Sequence, residues 1–294
     1  MPKPLLRLGI FVNTAKDRAP AALDILCDAA DAAGVSLHPE AAAVDVWPRP
    51  SPVPLESVDD VDAVLGFGGD GTLLRTVRWA SPAQLPVLGV NLGRLGFLTE
   101  VGVDEIPAAV DRLASGEYEV DERSRLRVTA FRGRKSLWSH EGLNDLVVTR
   151  VGFDRVAELD VNINRKPLTT YLADGLVVAT PTGSTAHALS AGGPVLVPGI
   201  RALIVIAICP HTLAVRPLVI SDQERLTIRA ADRKAQMLAA VDGQLSETLE
   251  GTDFVEIVTA PDPARLLRVS GGSFYTTLRR KLGWKGSAPG GPLR

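Results

Sequence analysis

The feature that most constrains the fold is an alternation of short apolar runs with helical patterns in the first third of the chain. Apolar runs over 5–12, 61–67 and 86–91 predict buried strands, whereas 20–33 and 72–79 show the helical spacing of apolar residues. Strands that alternate with helices are typical of a parallel sheet covered on both faces. The sequence therefore predicts a Rossmann-like α/β domain at the N-terminal end.

A different pattern begins near residue 117. Segments such as 158–164, 225–230 and 253–259 alternate apolar and polar residues with a period of two, which is typical of half-buried strands. Turn-prone residues separate these segments, and no long helical pattern intervenes. We therefore predict a second, all-β domain of two packed sheets. The helical pattern at 273–284 predicts a C-terminal segment that returns to the first domain.

These patterns give expected domain boundaries. Residues 1–120 together with about 268–294 should form the α/β domain, and 121–267 should form the β-rich domain. The 294 residues are 46% apolar and 22% charged, as in ordinary globular proteins. A net charge of −2 argues against a nucleic-acid partner. The chain from Pro263 onward carries Lys and Arg but no acid, and we expect a solvated tail there.

The location of the protein is predicted from the termini and the cysteines. The N-terminus lacks a signal-peptide pattern, and the longest apolar run, 202–209, is too short to span a bilayer. Cys27 and Cys209 lack metal-ligand spacing, and we predict that both are core residues in a reducing compartment. We expect a cytoplasmic protein without a membrane partner.

A glycine-rich segment, G-F-G-G-D-G at 66–71, lies between a predicted strand and a predicted helix. It matches the dinucleotide fingerprint, but the next strand ends in Val90-Asn91 without the acid that this fingerprint requires. A carboxylate among the glycines, Asp70, would repel a bare phosphate. It becomes useful where a hydroxyl that attacks a phosphate must lose its proton. The alternative is that Asp70 only favours the turn or caps the helix.

The chain resembles the NAD kinases in seven motifs that occur in order. They are G-G-D-G-T (68–72), N-L-G-R-L-G-F-L (91–98), L-N-D-L-V-V (143–148), the block 174–194 that includes T-P-T-G-S-T, C-P-H-T-L-A-V-R-P (209–217), V-D-G-Q (241–244) and F-Y-T-T-L-R-R-K-L-G-W (274–284). The resemblance implies a two-domain fold of the kind predicted above. It also implies transfer of the terminal phosphoryl group of ATP, or of polyphosphate, to the 2′-hydroxyl of the adenosine ribose of NAD.

The resemblance assigns roles to particular residues. Asp70 is implied to be the general base, and no residue is implied to ligate a resident metal. The residues implied to bind NAD or ATP are Gly69, Gly71, Arg75, Phe97, Asn144, Asp145, Arg155, Asp174, Thr182, Thr185, Ala186, His187, Ala188, Leu189, Ser190 and Gln244. Among these, Arg75 should hold phosphate, Phe97 should pack near adenine, and Asn144 and Asp145 should bind the adenosine portion.

The resemblance also implies a divalent metal, Mg²⁺ delivered with ATP, and a homodimer or homotetramer. In this family Asp174 often reaches the ligand across a subunit interface. The sequence departs from the family at His187, where relatives usually carry Tyr, and at Ala173, where Gly is frequent. Three other functions stay open at this point: a lipid kinase, a non-catalytic NAD-binding regulator and a nicotinamide-dependent dehydrogenase.

Overall fold

The structure is a computed structural model that describes residues 2–50, 52–93, 96–152 and 156–284. The chain divides into two compact units. The first unit comprises Met1–Thr76, Leu85–Asp121 and Leu266–Arg294, and the second comprises Val77–Gln84 and Glu122–Arg265. Each unit is therefore assembled from segments that are distant in sequence.

The described residues contain six α-helices and nineteen strands. The helices are α1 (Ala19–Ala33), α2 (Ala41–Val44), α3 (Asp70–Ala80), α4 (Ile106–Ser115), α5 (His187–Ser190) and α6 (Phe274–Lys281). The strands are β1 (Arg7–Val12), β2 (Ser36–Pro39), β3 (Ala63–Gly68), β4 (Val87–Asn91), β5 (Val101–Gly102), β6 (Glu119–Arg123), β7 (Leu126–Arg132), β8 (Lys135–Gly142), β9 (Asp145–Arg150), β10 (Ala157–Ile163), β11 (Lys166–Ala173), β12 (Gly175–Ala179), β13 (Ala202–Ile208), β14 (Leu218–Ser221), β15 (Leu226–Ala230), β16 (Gln236–Val241), β17 (Leu245–Glu250), β18 (Asp253–Thr259) and β19 (Ala264–Arg268).

The first unit is built on a sheet with the strand order β2-β1-β3-β4-β19-β6, and β5 pairs with β4. The strands β1 to β4 pair in parallel. Every residue of β3 and β4 is buried, as expected for strands covered on both faces. Their apolar side chains pack with α1 and α4 in one core that includes Leu23, Leu65, Leu88 and Leu113. The predicted α/β architecture is confirmed.

The C-terminal segment returns to this sheet, as predicted. Leu266 of β19 pairs in parallel with Val87 of β4, which places β19 beside a strand that precedes it by some 180 residues. The N–H groups of the next residues are bound by Glu100, which follows β4 in the chain. The sheet thus gains its fifth strand from the far end of the sequence.

Glu100 holds the returning segment through several hydrogen bonds. Its carboxylate accepts from Nη1 of Arg268 at 2.8 Å, from the N–H of Val269 at 2.7 Å and from the N–H of Ser270 at 2.8 Å. Arg268 also donates from Nε and Nη2 to Asp121 at 3.1 and 3.0 Å. The Glu100 side chain is buried, with 5% exposure. A buried carboxylate is stable in such a position because its hydrogen bonds and ion pair replace water.

The second unit consists of two six-stranded antiparallel sheets. Their strand orders are β11-β10-β15-β18-β7-β8 and β14-β13-β12-β9-β16-β17. Apolar side chains that alternate along both sheets form one shared core, with Val128 and Ile228 from the first sheet and Val148 and Val178 from the second. The prediction of an all-β domain with two packed sheets is confirmed.

One prediction about the cysteines is wrong. Cys27 is buried in α1, but Cys209 is exposed. Cys209 follows the last residue of β13 and has a φ of +46°, so the chain turns out of the sheet at this position instead of continuing the buried strand. Within the residues that the structure describes, no helix combines the length and apolar character needed to cross a membrane.

The Glu100 contacts predict a measurable contribution to stability. Glu100→Ala should lower the free energy of unfolding by about 3 kcal/mol, because it leaves Arg268 and two backbone N–H groups without their buried acceptor. Urea unfolding measures this change. The matched control is Glu119→Ala, at an exposed position of β6, which should stay within about 0.5 kcal/mol of the parent. Equal effects of the two substitutions would contradict this role of Glu100.

Candidate functional site

The residues predicted to form the site fall into one set in each unit, and each set is described by itself. The set of the first unit comprises Gly69, Asp70, Gly71, Arg75 and Phe97. The set of the second unit comprises Asn144, Asp145, Asp174, Thr182, Thr185, Ala186, His187, Ala188, Leu189, Ser190 and Gln244. Arg155 lies outside the described residues.

The glycines between β3 and α3 have two different roles. A Cβ atom on Gly66 would lie 2.7 Å from Oγ1 of Thr76, and one on Gly68 would lie 2.2 Å from Oγ1 of Thr72. These two glycines let the helix pack directly on the strand. A Cβ atom on Gly69 or Gly71 would meet no atom within 4 Å. The Cα atoms of Gly69 and Gly71 therefore face open space, while the Gly69 carbonyl accepts the N–H groups of Thr72 and Leu73 at 3.0 and 3.2 Å.

Asp70 is the first residue of α3, and its side chain binds the segment that follows β4. Oδ2 accepts a hydrogen bond from the N–H of Phe97 at 2.9 Å. Oδ1 accepts from the N–H of Leu98 at 3.1 Å and from that of Thr99 at 3.4 Å. The sequence left open whether Asp70 acts only as a turn or capping residue. In the structure its side chain links two loops at the carboxyl ends of neighbouring parallel strands, where α/β sheets bind their ligands.

Position 96 requires glycine because the Asp70 carboxylate occupies the space that a side chain would need. A Cβ atom at this position would lie 1.8 Å from Oδ1 of Asp70. The N–H of Gly96 donates to Oγ1 of Thr99 at 3.1 Å, which closes the turn on itself. The second glycine of the N-L-G-R-L-G-F-L motif thus has a physical reason. It allows a backbone turn to wrap around a carboxylate.

Arg75, which was predicted to hold phosphate, makes a set of contacts within the first unit. Its guanidinium donates to both carboxylate oxygens of Glu40, at 2.6 and 2.7 Å, and to the carbonyl oxygen of Val12 at 3.1 Å. It also lies 5.2 Å from the ring centroid of Phe11. Glu40 in turn accepts the N–H of Val12 at 2.8 Å. These contacts join α3 to the end of β1 and occupy the guanidinium.

Phe97 is half-buried in the segment bound by Asp70. Its ring contacts the ammonium of Lys281 at the end of α6, with Nζ 5.8 Å from the ring centroid. From the basic charge of the chain beyond Pro263 we expected a solvated tail, although the helical pattern at 273–284 predicted a return to the first domain. The structure instead brings one of its cations to a residue of the predicted site.

In the second unit, Asp242 organises the start of β9 in the way that Asp70 organises the other loop. Its carboxylate accepts from the N–H groups of Leu143 at 2.8 Å, Asn144 at 2.8 Å and Asp145 at 3.1 Å. Asp242 and Gly243 have φ values of +52° and +63° and are the central residues of a turn closed by the N–H of Gln244 on the Val241 carbonyl, within the three-residue loop between β16 and β17. The Asp-Gly pair therefore shapes the hairpin and places the carboxylate.

Asp145 is a buried carboxylic acid beside Asp242. The pKa of Asp145 is raised to about 7, chiefly by burial and secondly by the negative charge of Asp242, while a hydrogen bond from the N–H of His187 opposes the rise. Burial also raises the pKa of Asp242, against the three N–H groups that it binds and the nearby Arg78. Because the two negative charges repel each other in a buried place, Asp145 and Asp242 resist being ionised at the same time.

The T-P-T-G-S-T block packs against Asn144. Thr180 is the first residue of the block. Its N–H donates to the Asn144 carbonyl oxygen at 2.9 Å, and its hydroxyl donates to the Leu143 carbonyl oxygen at 2.6 Å. A Cβ atom on Gly183 would lie 2.0 Å from the Asn144 carbonyl oxygen, so only glycine fits there. The side-chain amide of Asn144 makes no hydrogen bond with any described residue. That amide is available to a ligand.

The residues after this block form a short turn and the helix α5. The Thr185 hydroxyl donates to the Thr182 carbonyl at 3.2 Å, and the Thr182 hydroxyl accepts from the buried Arg123 at 3.3 Å. Ala188 is buried, Ala186 and Leu189 are half-buried, and His187 and Ser190 are exposed. The His187 side chain is thus solvent-accessible, and its backbone N–H reaches Asp145.

Gln244 contacts Arg78, a residue that the sequence did not indicate as part of the site. Its Oε1 accepts from Nη1 of Arg78 at 3.1 Å, and the charge of Arg78 also acts on Asp242. The V-D-G-Q motif (241–244) predicted Gln244 as a ligand-binding residue through the family resemblance. Nothing in the sequence indicated that Arg78, 166 positions earlier, approaches Gln244.

Asp174 does not join the other residues of this set. It precedes β12, whereas Thr180 follows the same strand, so the two lie at opposite ends, roughly 20 Å apart along an extended chain. Its half-exposed carboxylate lies 3.6 Å from Nη2 of Arg150. Across the described ranges, no group of three or more His, Cys, Asp or Glu side chains is placed to hold a metal ion.

The fit between Gly96 and Asp70 gives a prediction about stability. Gly96→Ala should cost about 2 kcal/mol, because the new methyl group would overlap the carboxylate. The control is Gly93→Ala, where the methyl group meets open space. In an Asp70→Ala background the cost of Gly96→Ala should fall by at least about 1 kcal/mol, since the obstacle is gone. Thermal and urea unfolding of the four variants measure the cycle, and an unchanged cost would contradict the proposed fit.

The pKa of Asp145 gives a prediction about pH. Because this pKa is about 7 in the folded protein and 3.8 ordinarily, the folded protein holds the proton more tightly than the unfolded chain. The contribution of Asp145 to the free energy of unfolding therefore falls as pH rises from about 4 to about 7, by up to about 1.4 kcal/mol per pH unit. Asp145→Asn, a neutral mimic, should gain stability relative to the parent over this range and level off above it.

Urea unfolding at pH 4.5, 6 and 8 tests this expectation. The matched control is Asp174→Asn, which removes a half-exposed carboxyl group from the same unit. A difference between parent and Asp145→Asn that stays constant from pH 4.5 to 8 would show that the carboxyl is ionised throughout.

Comparison with known proteins identifies the family. Residues 52–118 match the ATP-NAD kinase N-terminal domain, and residues 143–269 match the ATP-NAD kinase C-terminal domain. The NAD kinase of Gemmatimonas aurantiaca is 38% identical over 284 residues, which cover 96% of this chain and 97% of that protein. The NAD kinase of Moorella thermoacetica is 44% identical over 232 residues, which cover 79% and 74%.

Two solved structures share the fold. Yeast NADH kinase complexed with NADH superposes with a TM-score of 0.87 at 24% identity, covering 97% of this chain and 89% of that one. An NAD kinase from Archaeoglobus fulgidus in complex with ATP superposes with a TM-score of 0.73 at 23% identity, covering 95% and 100%. With both domain families matched in order and a relative aligned over nearly its whole length, the chain belongs to the NAD kinase family.

Proposed function

We propose that this protein transfers the γ-phosphoryl group of ATP to the 2′-hydroxyl of the adenosine ribose of NAD, which gives NADP and ADP. Family membership and the names of the two relatives described above, both NAD kinases, support this proposal. The complexes of two structural neighbours, with NADH and with ATP, agree with the two substrates. The observation that carries the proposal is the Asp70 carboxylate, which three backbone N–H groups anchor at the carboxyl ends of β3 and β4.

The reaction balances with one proton acceptor. A bond forms between the 2′-oxygen and the γ-phosphorus, and the bond between that phosphorus and the β–γ bridging oxygen breaks. ADP leaves with the electron pair, and the hydroxyl proton passes to the base. Phosphoryl transfer needs alignment and charge neutralisation more than covalent help from the protein.

Asp70 is the proposed base, and its hydrogen bonds agree with that role. A carboxylate has about four lone-pair sites. The N–H groups of Phe97, Leu98 and Thr99 occupy three of them, so one acceptor position is left for a hydroxyl. The same bonds hold the carboxylate in one orientation, which lowers the entropy cost of aligning it with the substrate.

The second-unit residues are proposed to bind NAD through its polar atoms. Asn144 offers an uncommitted amide, and Asp145, whose pKa is about 7, offers either a donor or an acceptor at neutral pH. Gln244, in the loop between β16 and β17, is proposed to bind the same ligand. The remaining proposed ligand-binding residues are Arg155, Asp174, Thr182, Thr185, Ala186, His187, Ala188, Leu189 and Ser190. Asp174 lies at the other end of β12, and this position is compatible with binding a ligand held by a second copy of the chain.

Mg²⁺ is proposed to arrive with ATP as part of the substrate. It would neutralise phosphate charge, and the described residues contain no acidic cluster that would hold it independently. Two further expectations belong to the proposal. One is a homodimer or homotetramer, and the other is a cytoplasmic location, for which the two free cysteines are the support.

The proposal is tested by NADP formation. The purified protein should convert NAD to NADP with MgATP, and an NADP-specific dehydrogenase detects the NADP that forms. Replacing ATP by polyphosphate identifies the phosphoryl donor, and replacing NAD by NADH identifies the acceptor. Failure to phosphorylate NAD or NADH with either donor would overturn the proposed function.

The base role of Asp70 predicts a specific loss. Asp70→Asn should lower kcat for NADP formation by at least about 100-fold, because the amide cannot take the hydroxyl proton. NAD affinity, measured by calorimetry, should change little. The matched control is Asp111→Asn, at an exposed carboxyl of α4, which should keep the parental rate. Near-parental turnover by Asp70→Asn would contradict the base role while leaving the overall reaction intact.

A further inference from the structure

The reacting phosphates carry more negative charge than the described loop of the first unit neutralises. Asp70 adds a carboxylate to that loop, and the residue predicted to hold phosphate, Arg75, is engaged with Glu40, with the Val12 carbonyl and with the Phe11 ring. A phosphoryl-transfer site needs cations near the transferred group, and the metal supplies only part of that charge. A second cation is therefore expected near the same loop.

Lys281 is a cation placed there. Its Nζ lies 5.8 Å from the ring centroid of Phe97, and the backbone N–H of Phe97 binds the Asp70 carboxylate at 2.9 Å. The ammonium is exposed and forms no ion pair with any acidic residue that the structure describes. An ammonium over an aromatic face is weakly held, so it stays available to a stronger anionic partner.

The position of Lys281 is fixed by the fold of the first unit. The Ser273 side chain caps α6 by accepting the N–H of Thr276 at 3.2 Å, and Leu278 is the buried anchor of the helix. The segment that leads into α6 is held by Glu100 through the N–H groups of Val269 and Ser270. Glu100 directly follows the loop residues 97–99 that Asp70 binds. The segment 97–100 therefore contacts both Asp70 and the chain that leads into α6.

We infer that Lys281 binds the transferred phosphoryl group, through an oxygen of the ATP phosphates or of the 2′-phosphate of NADP. The inference rests on the proposed function and extends it to a residue of the C-terminal helix. A lysine suits this role because its ammonium is a compact point charge on a flexible stem, which can follow the phosphoryl group from donor to acceptor.

The test compares two substitutions that remove one charge each from the same helix. Lys281→Gln should weaken binding of MgATP, of NADP or of both by about tenfold, as expected for the loss of one charge-assisted hydrogen bond, whereas NAD affinity should be unchanged. The matched control, Arg280→Gln, is exposed on α6 and should bind all three ligands as the parent does. Lys281→Arg should retain most of the affinity. Calorimetric titrations give the constants, and thermal unfolding checks that each variant is folded.

The two arms separate the sources of the phosphate. A loss confined to MgATP assigns Lys281 to the donor, and a loss confined to NADP assigns it to the product. Parental affinity for both ligands, or an equal loss for NAD, would overturn the inference, since Lys281 would then only pack on Phe97. If the parent forms no NADP, the proposed function fails, and the MgATP arm still decides whether Lys281 binds phosphate.

Discussion

The arrangement of the first unit depends on the hydrogen bonds from three consecutive backbone N–H groups to one carboxylate, that of Asp70. The side chain begins α3, and the N–H groups belong to the loop after β4. Because Gly96 has no side chain, the loop wraps closely around the acid. The same contact orients the proposed base and brings Phe97 under Lys281. A carboxylate in a glycine-rich loop is thus held by backbone donors before any phosphate arrives.

The chain uses this device more than once. Asp242 binds the N–H groups of residues 143–145 in the second unit, and Glu100 binds those of residues 269 and 270 in the first. Hydrogen bonds to an ionised acceptor are stronger than neutral ones, and they fix loops that lack a strand partner. At Asp145, burial together with the nearby charge of Asp242 gives a carboxyl group whose pKa is about 7.

Much of the architecture was predictable from the sequence, because period-two and helical patterns report local structure directly. The α/β sheet, the two packed β-sheets and the return of the C-terminal segment follow from such patterns. Long-range side-chain contacts leave no such pattern. The bond between Arg78 and Gln244, the engagement of Arg75 by Glu40 and the position of Lys281 over Phe97 join residues far apart in sequence. Cys209 ends an apolar run, yet the backbone turns outward at that residue.

The most direct test of the central claim is a crystal structure of the protein with NAD bound. The distance to measure is that between the nearer carboxylate oxygen of Asp70 and the 2′-oxygen of the adenosine ribose. The account predicts hydrogen-bond contact, about 2.6–3.2 Å, with the bonds to the loop after β4 preserved. A ribose oxygen beyond the reach of that carboxylate, directly or through one water, would show that Asp70 only shapes the loop and that another group takes the proton.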